Sequence, residues 1–239
     1  MRVQKSYGIA CYRKINKNPH YEFIFINKRL TYYFIEFMRG MYGNSDQSVL
    51  DLLNKMTVDE KVTIKSLNFH IIWYKYCLEK YNNNQRSNNI FNKLKTKFYN
   101  NFMVDNGKRL LYLIDKSYSQ TLLWELPKGH KDNKEFEVNA AIREFYEETS
   151  IPKYKYKIMF SIQPIIHTFI DNNVKYVCKY FVAKMLDKNY VPQIKMNVKS
   201  MINETSDIKF LNIYDINLLI NDNKLISEVK NLIKKLKGY

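Results

Sequence analysis

The chain has 239 residues, 46% of them hydrophobic, enough to bury a core and too many for wholesale disorder. Its 39 basic residues against 23 acidic ones leave a net charge of +16, which points to a polyanionic partner, with solubility alone as the alternative. No apolar run approaches the ~18 residues of a membrane span, and MRVQKSYGIACYRK lacks the apolar centre of a signal peptide, so neither is expected. Cys11, Cys77 and Cys178 are odd in number, far apart and without zinc spacing, which predicts reduced thiols in a cytosolic-type compartment.

In chain order, Ser6–Arg13 and Tyr21–Lys28 read as two strands of a hairpin, with Asn16, Asn18 and Pro19 at the turn. Asp46 can cap a helix whose apolar positions are Val49, Leu50, Leu53 and Met56. Thr57 and Glu60 form a capping box that starts another. Leu67, Ile71, Ile72, Tyr74, Cys77 and Leu78 give a third helical stripe, which the asparagines at 82–84 and 88–89 interrupt. Lys93, Lys95 and Lys97 follow, interleaved with Phe91, Phe98 and Tyr99. This is a strip suited to an RNA backbone, or a solvated helix face.

Strand character returns at Thr121–Leu126, and Pro127-Lys128-Gly129 reads as a turn. A helix is expected from about Phe136 to Thr149, stopped by Pro152. Strands are expected at Met159–Pro164, Ile165–Ile170, Lys175–Lys184 and Asp207–Ile213, and helices at Tyr214–Ile220 and Ser227–Leu236. Strand-rich pieces thus flank an all-helical piece. The economical reading is one α/β domain, residues 1–33 and 116–239, interrupted by a helical insertion at 34–115.

Chemistry concentrates between residues 129 and 151. Gly129 and Glu135 precede Arg143-Glu144-Phe145-Tyr146-Glu147-Glu148-Thr149-Ser150-Ile151. On a helix, Glu144 lies three residues from Glu147 and four from Glu148, so the three carboxylates share a face. Val138, Ala141, Ile142 and Phe145 occupy the opposite face and can pack on a sheet. Clustered carboxylates repel one another, and a divalent cation with a preference for hard oxygen ligands, Mg2+ or Mn2+, removes that cost. Arg143 fits a clamp that fixes the carboxylates by bidentate pairing. The competing reading is an ordinary exposed Glu/Arg helix.

These residues are similar to the Nudix box, G-x5-E-x7-R-E-U-x-E-E-x-G-U with U bulky and apolar. Ser150, where glycine is usual, is the single departure, and it bears on the helix end rather than on the carboxylates. With Leu123-Trp124-Glu125-Leu126-Pro127-Lys128-Gly129 before it, the box resembles the mRNA-decapping Nudix hydrolases of large DNA viruses and, more distantly, those of poxviruses. Ser6-Tyr7-Gly8-Ile9, Lys28-Arg29, Met56-Thr57-Val58-Asp59-Glu60, Asn68-Phe69 and Trp73-Tyr74 extend the likeness through the helical insertion.

The resemblance implies an α-β-α Nudix sandwich with a mixed sheet, Mg2+ or Mn2+ as cofactor, and capped mRNA as substrate, cut to 7-methyl-GDP and a 5′-monophosphate RNA. It implies a viral host-shutoff enzyme of the host-cell cytoplasm, with virion association as an alternative and no membrane partner. One family member also attacks diphosphoinositol polyphosphates. The implied ligands are Glu144, Glu147, Glu148 and the Gly129 carbonyl, with Glu135 assisting directly or through water. Glu144 and Arg143 carry catalysis. Glu204, in Asn203-Glu204, is implied as a second catalytic carboxylate, or else is a plain loop glutamate. Tyr32 and Tyr176 are implied as a cap sandwich and Lys128 as a further cap contact, with core or surface tyrosines as the alternative. Two other readings stay open: a Nudix enzyme acting on inositol pyrophosphates or nucleotides, and a catalytically silent RNA-binding Nudix protein.

Overall fold

The computed structural model describes residues 1–15, 20–77, 85–121, 124–171, 173–194 and 205–237. The chain divides into two compact units, Met1–Arg29 with Leu123–Tyr239, and Leu30–Leu122.

The first unit is built on a mixed sheet. β1 (Arg2–Ile15) pairs antiparallel with β2 (His20–Lys28), while the connection at 16–19 lies outside the described residues. On its other side β1 runs parallel to β7 (Val174–Met185). β7 also carries β5 (Tyr156–Ile158) and β6 (Ile165–Asp171), both antiparallel. β2 carries β3 (Trp124–Glu125) and β8 (Thr205–Leu211), and β4 (Lys128–Gly129) pairs with β1.

β1 and β2 read as near-continuous apolar runs because both faces of the sheet are covered. Ala10, Tyr12, Phe23, Phe25, Tyr180 and Val182 point to one face, where α8 (Ile213–Leu219) and α9 (Asn223–Lys237) contribute Ile216, Leu225, Val229 and Leu232. Ile9, Cys11, Ile24, Ile26, Ala183 and Met185 point to the other, against Ala140, Ala141 and Phe145 of α7 (Glu137–Thr149). This is the expected α-β-α sandwich.

The second unit is helical among its described residues: α1 (Tyr32–Met38), α2 (Asp46–Leu53), α3 (Val58–Lys65), α4 (Phe69–Tyr76), α5 (Gln85–Phe102) and α6 (Lys108–Lys116). Its core is aromatic, with Phe37 stacked on Phe102 at 5.7 Å and Phe69 on Trp73 at 5.7 Å. The capping box at Thr57 and Glu60 forms, and buried Glu60 also accepts from Thr31 N and, at 2.9 Å, from Thr31 Oγ1. One carboxylate therefore fastens the starts of α1 and α3.

Several local expectations are corrected. Ser45, not Asp46, caps α2, and Asp46 is its first helical residue. Leu67 stands outside α4 with φ 57°, and Asn68 caps that helix. Asn88 and Asn89 lie inside α5. The Pro127-Lys128-Gly129 segment is extended and hydrogen-bonded to β1, with Ile9 N donating to Pro127 O at 3.3 Å. Met159–Pro164 is not a strand: β5 ends at Ile158, and Ile162 N turns back to Met159 O. The unit boundaries fall at 29/30 and 122/123. Thr31 belongs to the helices through Glu60, and Tyr118 and Gln120 are tied back by Lys61 and by Met56 O.

Candidate active site

α7 begins at Glu137, after extended Phe136, and its inner face packs Ala140, Ala141 and Phe145 on the sheet. That packing turns Arg143, Glu144 and Glu147 outward along one stripe. Arg143 is the hub. Its Nε and Nη2 donate to both oxygens of Glu135 at 3.2 and 3.0 Å, and Nη2 also donates to His130 O at 2.8 Å. Nη1 donates to Glu144 at 2.8 Å and to Glu147 at 3.2 Å. The expected clamp is present. Its hydrogen bonds, first those to Glu135, outweigh burial and raise the guanidinium pKa further, while Arg143 and the Asp132 amide hold Glu135 below the usual carboxylate range.

Gly129 is required by close approach. A Cβ there would stand 2.0 Å from Glu144 Cδ, so the carboxylate occupies the space that any side chain would need. Gly8 acts in the same way one strand over, where a Cβ would meet Pro127 O at 2.1 Å. Two glycines thus let β4 lie between β1 and α7.

Glu148, one turn on from Glu144, reaches the same β4 segment but is 1% exposed. It pairs with Lys28 Nζ and accepts from Lys128 N at 2.8 Å. Lys28 also lies 3.5 Å from Glu125, and Lys128 Nζ donates to Glu125 at 2.5 Å. Burial raises the pKa of Glu148, with Lys28 opposing and Glu125 adding to it. Glu125 is shifted downward because Lys128 and Lys28 outweigh its own burial. Among the described residues, no three His, Cys, Asp or Glu side chains stand arranged as a metal cage: Arg143 engages two of the carboxylates and Lys28 the third.

The NUDIX domain model matches residues 100–229. The chain is 30% identical to the mRNA-decapping protein g5R of an African swine fever virus isolate from a Namibian warthog, over 100% of this chain and 99% of that one. It is 30% identical to the protein of the same name from a South African tick isolate, over 100% and 98%. The chain belongs to the Nudix hydrolase family. Among solved structures, an Ap4A hydrolase binary complex of C. elegans aligns with a TM-score of 0.51 at 15% identity, over 98% of each chain, a likeness in fold.

The Nudix box therefore brings Gly129, Glu135, Arg143, Glu144 and Glu147 together, with Glu148 on the buried flank. Ser150 takes up the left-handed conformation that its usual glycine would, with φ 54° and ψ 21°. The other expectations are dispersed. Glu204 lies outside the described residues. Tyr32 is the first residue of α1 in the helical unit, and Tyr176 sits in β7 of the Nudix unit, its ring stacked on Phe169 at 4.8 Å. Lys128 points its amine at Glu125 rather than outward. Lys97 donates to Gly40 O at 2.7 Å and Tyr42 O at 2.9 Å, and Phe98 is buried, so both serve the helical core. Lys93 remains on an exposed turn of α5, while Lys95 lies near the Phe91 and Tyr99 rings. The amino-acid sequence alone assigned no role to Lys28, which pairs with Glu148, or to Glu125, which shares Lys28 with it and also pairs with Lys128. A lysine closing β2 and a glutamate three residues before Lys128 were their signals.

Proposed function

We propose that this Nudix hydrolase decaps mRNA in a divalent-metal-dependent reaction, releasing 7-methyl-GDP and leaving a 5′-monophosphate on the RNA. The observation that carries this reading is the stripe of Glu144 and Glu147 on α7, held by Arg143 against the bare backbone of Gly129. The donor set suits Mg2+ or Mn2+: carboxylates of Glu144, Glu147 and Glu148 and the Gly129 carbonyl are hard oxygens within one stretch of chain. Such an ion, when bound, neutralises a diphosphate and lowers the pKa of a water. The chain's own residues do the rest. Arg143 keeps the glutamates aligned and ties Glu135 beside them. Lys28 and Lys128 balance the buried Glu148–Glu125 pair, so the floor of the site stays ordered. Glu204 is proposed as the general base and Tyr176 as a cap contact. Tyr32, exposed at the start of α1, is proposed as a second cap contact. Lys93 and Lys95 are proposed to follow the RNA backbone, with Lys97 removed from that strip by its structural bonds.

The test is turnover of cap-labelled RNA. Glu144→Gln should lower kcat by at least ~100-fold while leaving the melting curve in place. Glu204→Gln should lower kcat with KM little changed. A Glu144→Gln chain that cleaves at the wild-type rate overturns the assignment.

A further inference from the structure

The floor of the site holds two carboxylates and two ammonium groups, and one of the ammonium groups stands between both carboxylates. Ile26 of β2 lies opposite Glu125 of β3, so Glu125 shares the sheet face of Ile26, the face that packs on α7. Glu148 reaches the same place from α7, and its two oxygens are used differently. Oε2 accepts from the Lys128 amide of β4 at 2.8 Å, which ties the carboxylate to the backbone. Oε1 takes the Lys28 ammonium. Glu125 is divided in the same way: Oε2 accepts from Lys128 Nζ at 2.5 Å, and Oε1 faces Lys28 Nζ at 3.5 Å. Lys28 is therefore bonded to one carboxylate oxygen, and a movement of about 1 Å brings it within hydrogen-bond length of the other.

A carboxylate as deeply buried as Glu148 is costly without a cation beside it. Lys28 supplies that cation in the arrangement described here. With a divalent ion on Glu144, Glu147 and Glu148 the need is met twice, and the ammonium at Oε1 becomes a like charge next to the metal. Glu125 resolves the conflict. It is not among the proposed ligands, it is already turned toward Lys28, and its own side chain is largely buried. A carboxylate in that position accepts the displaced ammonium without sending it into water. Apolar residues would close the base of α7 at lower cost, so a shared lysine between two buried glutamates calls for a role beyond packing.

We propose that Lys28 is an exchangeable counter-ion, which neutralises Glu148 in the metal-free chain and passes to Glu125 when a divalent cation binds. Lys28 and Glu125 are thus positioning residues that set the metal affinity of the site. This rests on the reading that Glu148 is a metal ligand.

The test reads Mn2+ binding directly, by loss of the free-ion electron paramagnetic resonance signal on titration into the full chain, beside melting curves with Mn2+ and with chelator. Lys28→Met removes the competing charge and should tighten Mn2+ binding roughly tenfold. It also strips Glu148 of its ammonium, so the melting temperature should fall in chelator and return toward wild type in saturating Mn2+. Lys28→Arg keeps the charge and should bind Mn2+ within about threefold of wild type. Glu125→Gln should weaken binding roughly tenfold. In the Lys28→Met background the same change should cost less than about threefold, because no ammonium is left to displace. Should Lys28→Met not fold in chelator, Lys28→Gln, which can still donate to Glu148, replaces it. Equal affinity in wild type and Lys28→Met overturns the exchange while leaving the metal reading in place. A Glu125→Gln effect of the same size in both backgrounds, as a plain loss of negative charge would give, also overturns it. So does a Lys28→Met melting temperature lowered equally with and without Mn2+, which marks a purely structural lysine. Mn2+ affinity that survives Glu148→Gln, or a wild-type chain that binds no Mn2+, refutes the metal reading and the exchange with it.

Discussion

Gly129 ties sequence to chemistry most tightly at the scale of single residues. The family pattern marks it, but the pattern alone suggests a turn. The structure assigns it to a strand instead, where the Glu144 carboxylate fills the space a Cβ would take. Gly129→Ala should therefore displace Glu144 and lower kcat by at least ~100-fold, a larger loss than any caused by the change in backbone freedom. Steady-state assay on capped RNA beside a melting curve checks this, and near-wild-type turnover would refute the close-approach argument. Ser150 was legible as a weak point at the helix end, and it does carry the left-handed backbone. The Lys28–Glu148 pair was not legible, because 120 residues separate the two and only the assembled fold brings them together.

Elements were legible where a local signal stood alone. The Thr57–Glu60 box reads from four consecutive residues and forms as expected, whereas the equivalent Asn212–Asp215 box at α8 straddles the expected strand, which ended at Ile213, and the expected helix, which began at Tyr214. Thr57→Ala removes the cap hydroxyl and should cost about 1–2 kcal/mol, with Thr57→Ser recovering most of it. Denaturant unfolding checks the magnitude, and an unchanged midpoint would show that the bond from Glu60 N to the Thr57 hydroxyl contributes nothing to stability. Residues 159–164 misled because short apolar spacing does not distinguish a strand from a turn that only buries Ile162. The same ambiguity affected α5, where aromatic and lysine residues alternate. Lys97 serves the core and Lys93 does not. Lys97→Met should accordingly lower the melting temperature, while Lys93→Ala should leave it in place and weaken RNA binding with a shallower salt dependence. Filter binding at two salt concentrations distinguishes them, and equal loss of RNA binding in both variants would return Lys97 to the RNA strip.

For the molecule as a whole, two compact units share one chain, one built on a sheet and one helical among its described residues. Long-range ties were invisible in the sequence, above all the one between β6 and the start of α9. His167 titrates near 6.5 when unfolded. In the fold its burial works against the charged form, but Asp222 and Cys178 outweigh it and carry the pKa up to about 9. The groups facing it are Asp222 and Cys178, with Ser6 and Lys128 beyond the thiol. Because the folded value lies above the unfolded one, the stabilisation is complete below about pH 6.5 and fades as the pH rises through about 9. Asp222, shifted downward by His167, sets the acid limit. Melting temperature should fall between pH 7 and pH 10 by more in the wild type than in His167→Gln; parallel curves would show that the pair carries no charge.

The central claim is that a carboxylate site on α7 cuts the cap of an RNA. Chromatography of the products from cap-labelled RNA, with Mg2+ or Mn2+ and with chelator, tests it most directly. Labelled 7-methyl-GDP is expected only when metal is present and Glu144 is intact. Label that stays on the RNA, or that is released equally by the Glu144→Gln chain, would contradict it.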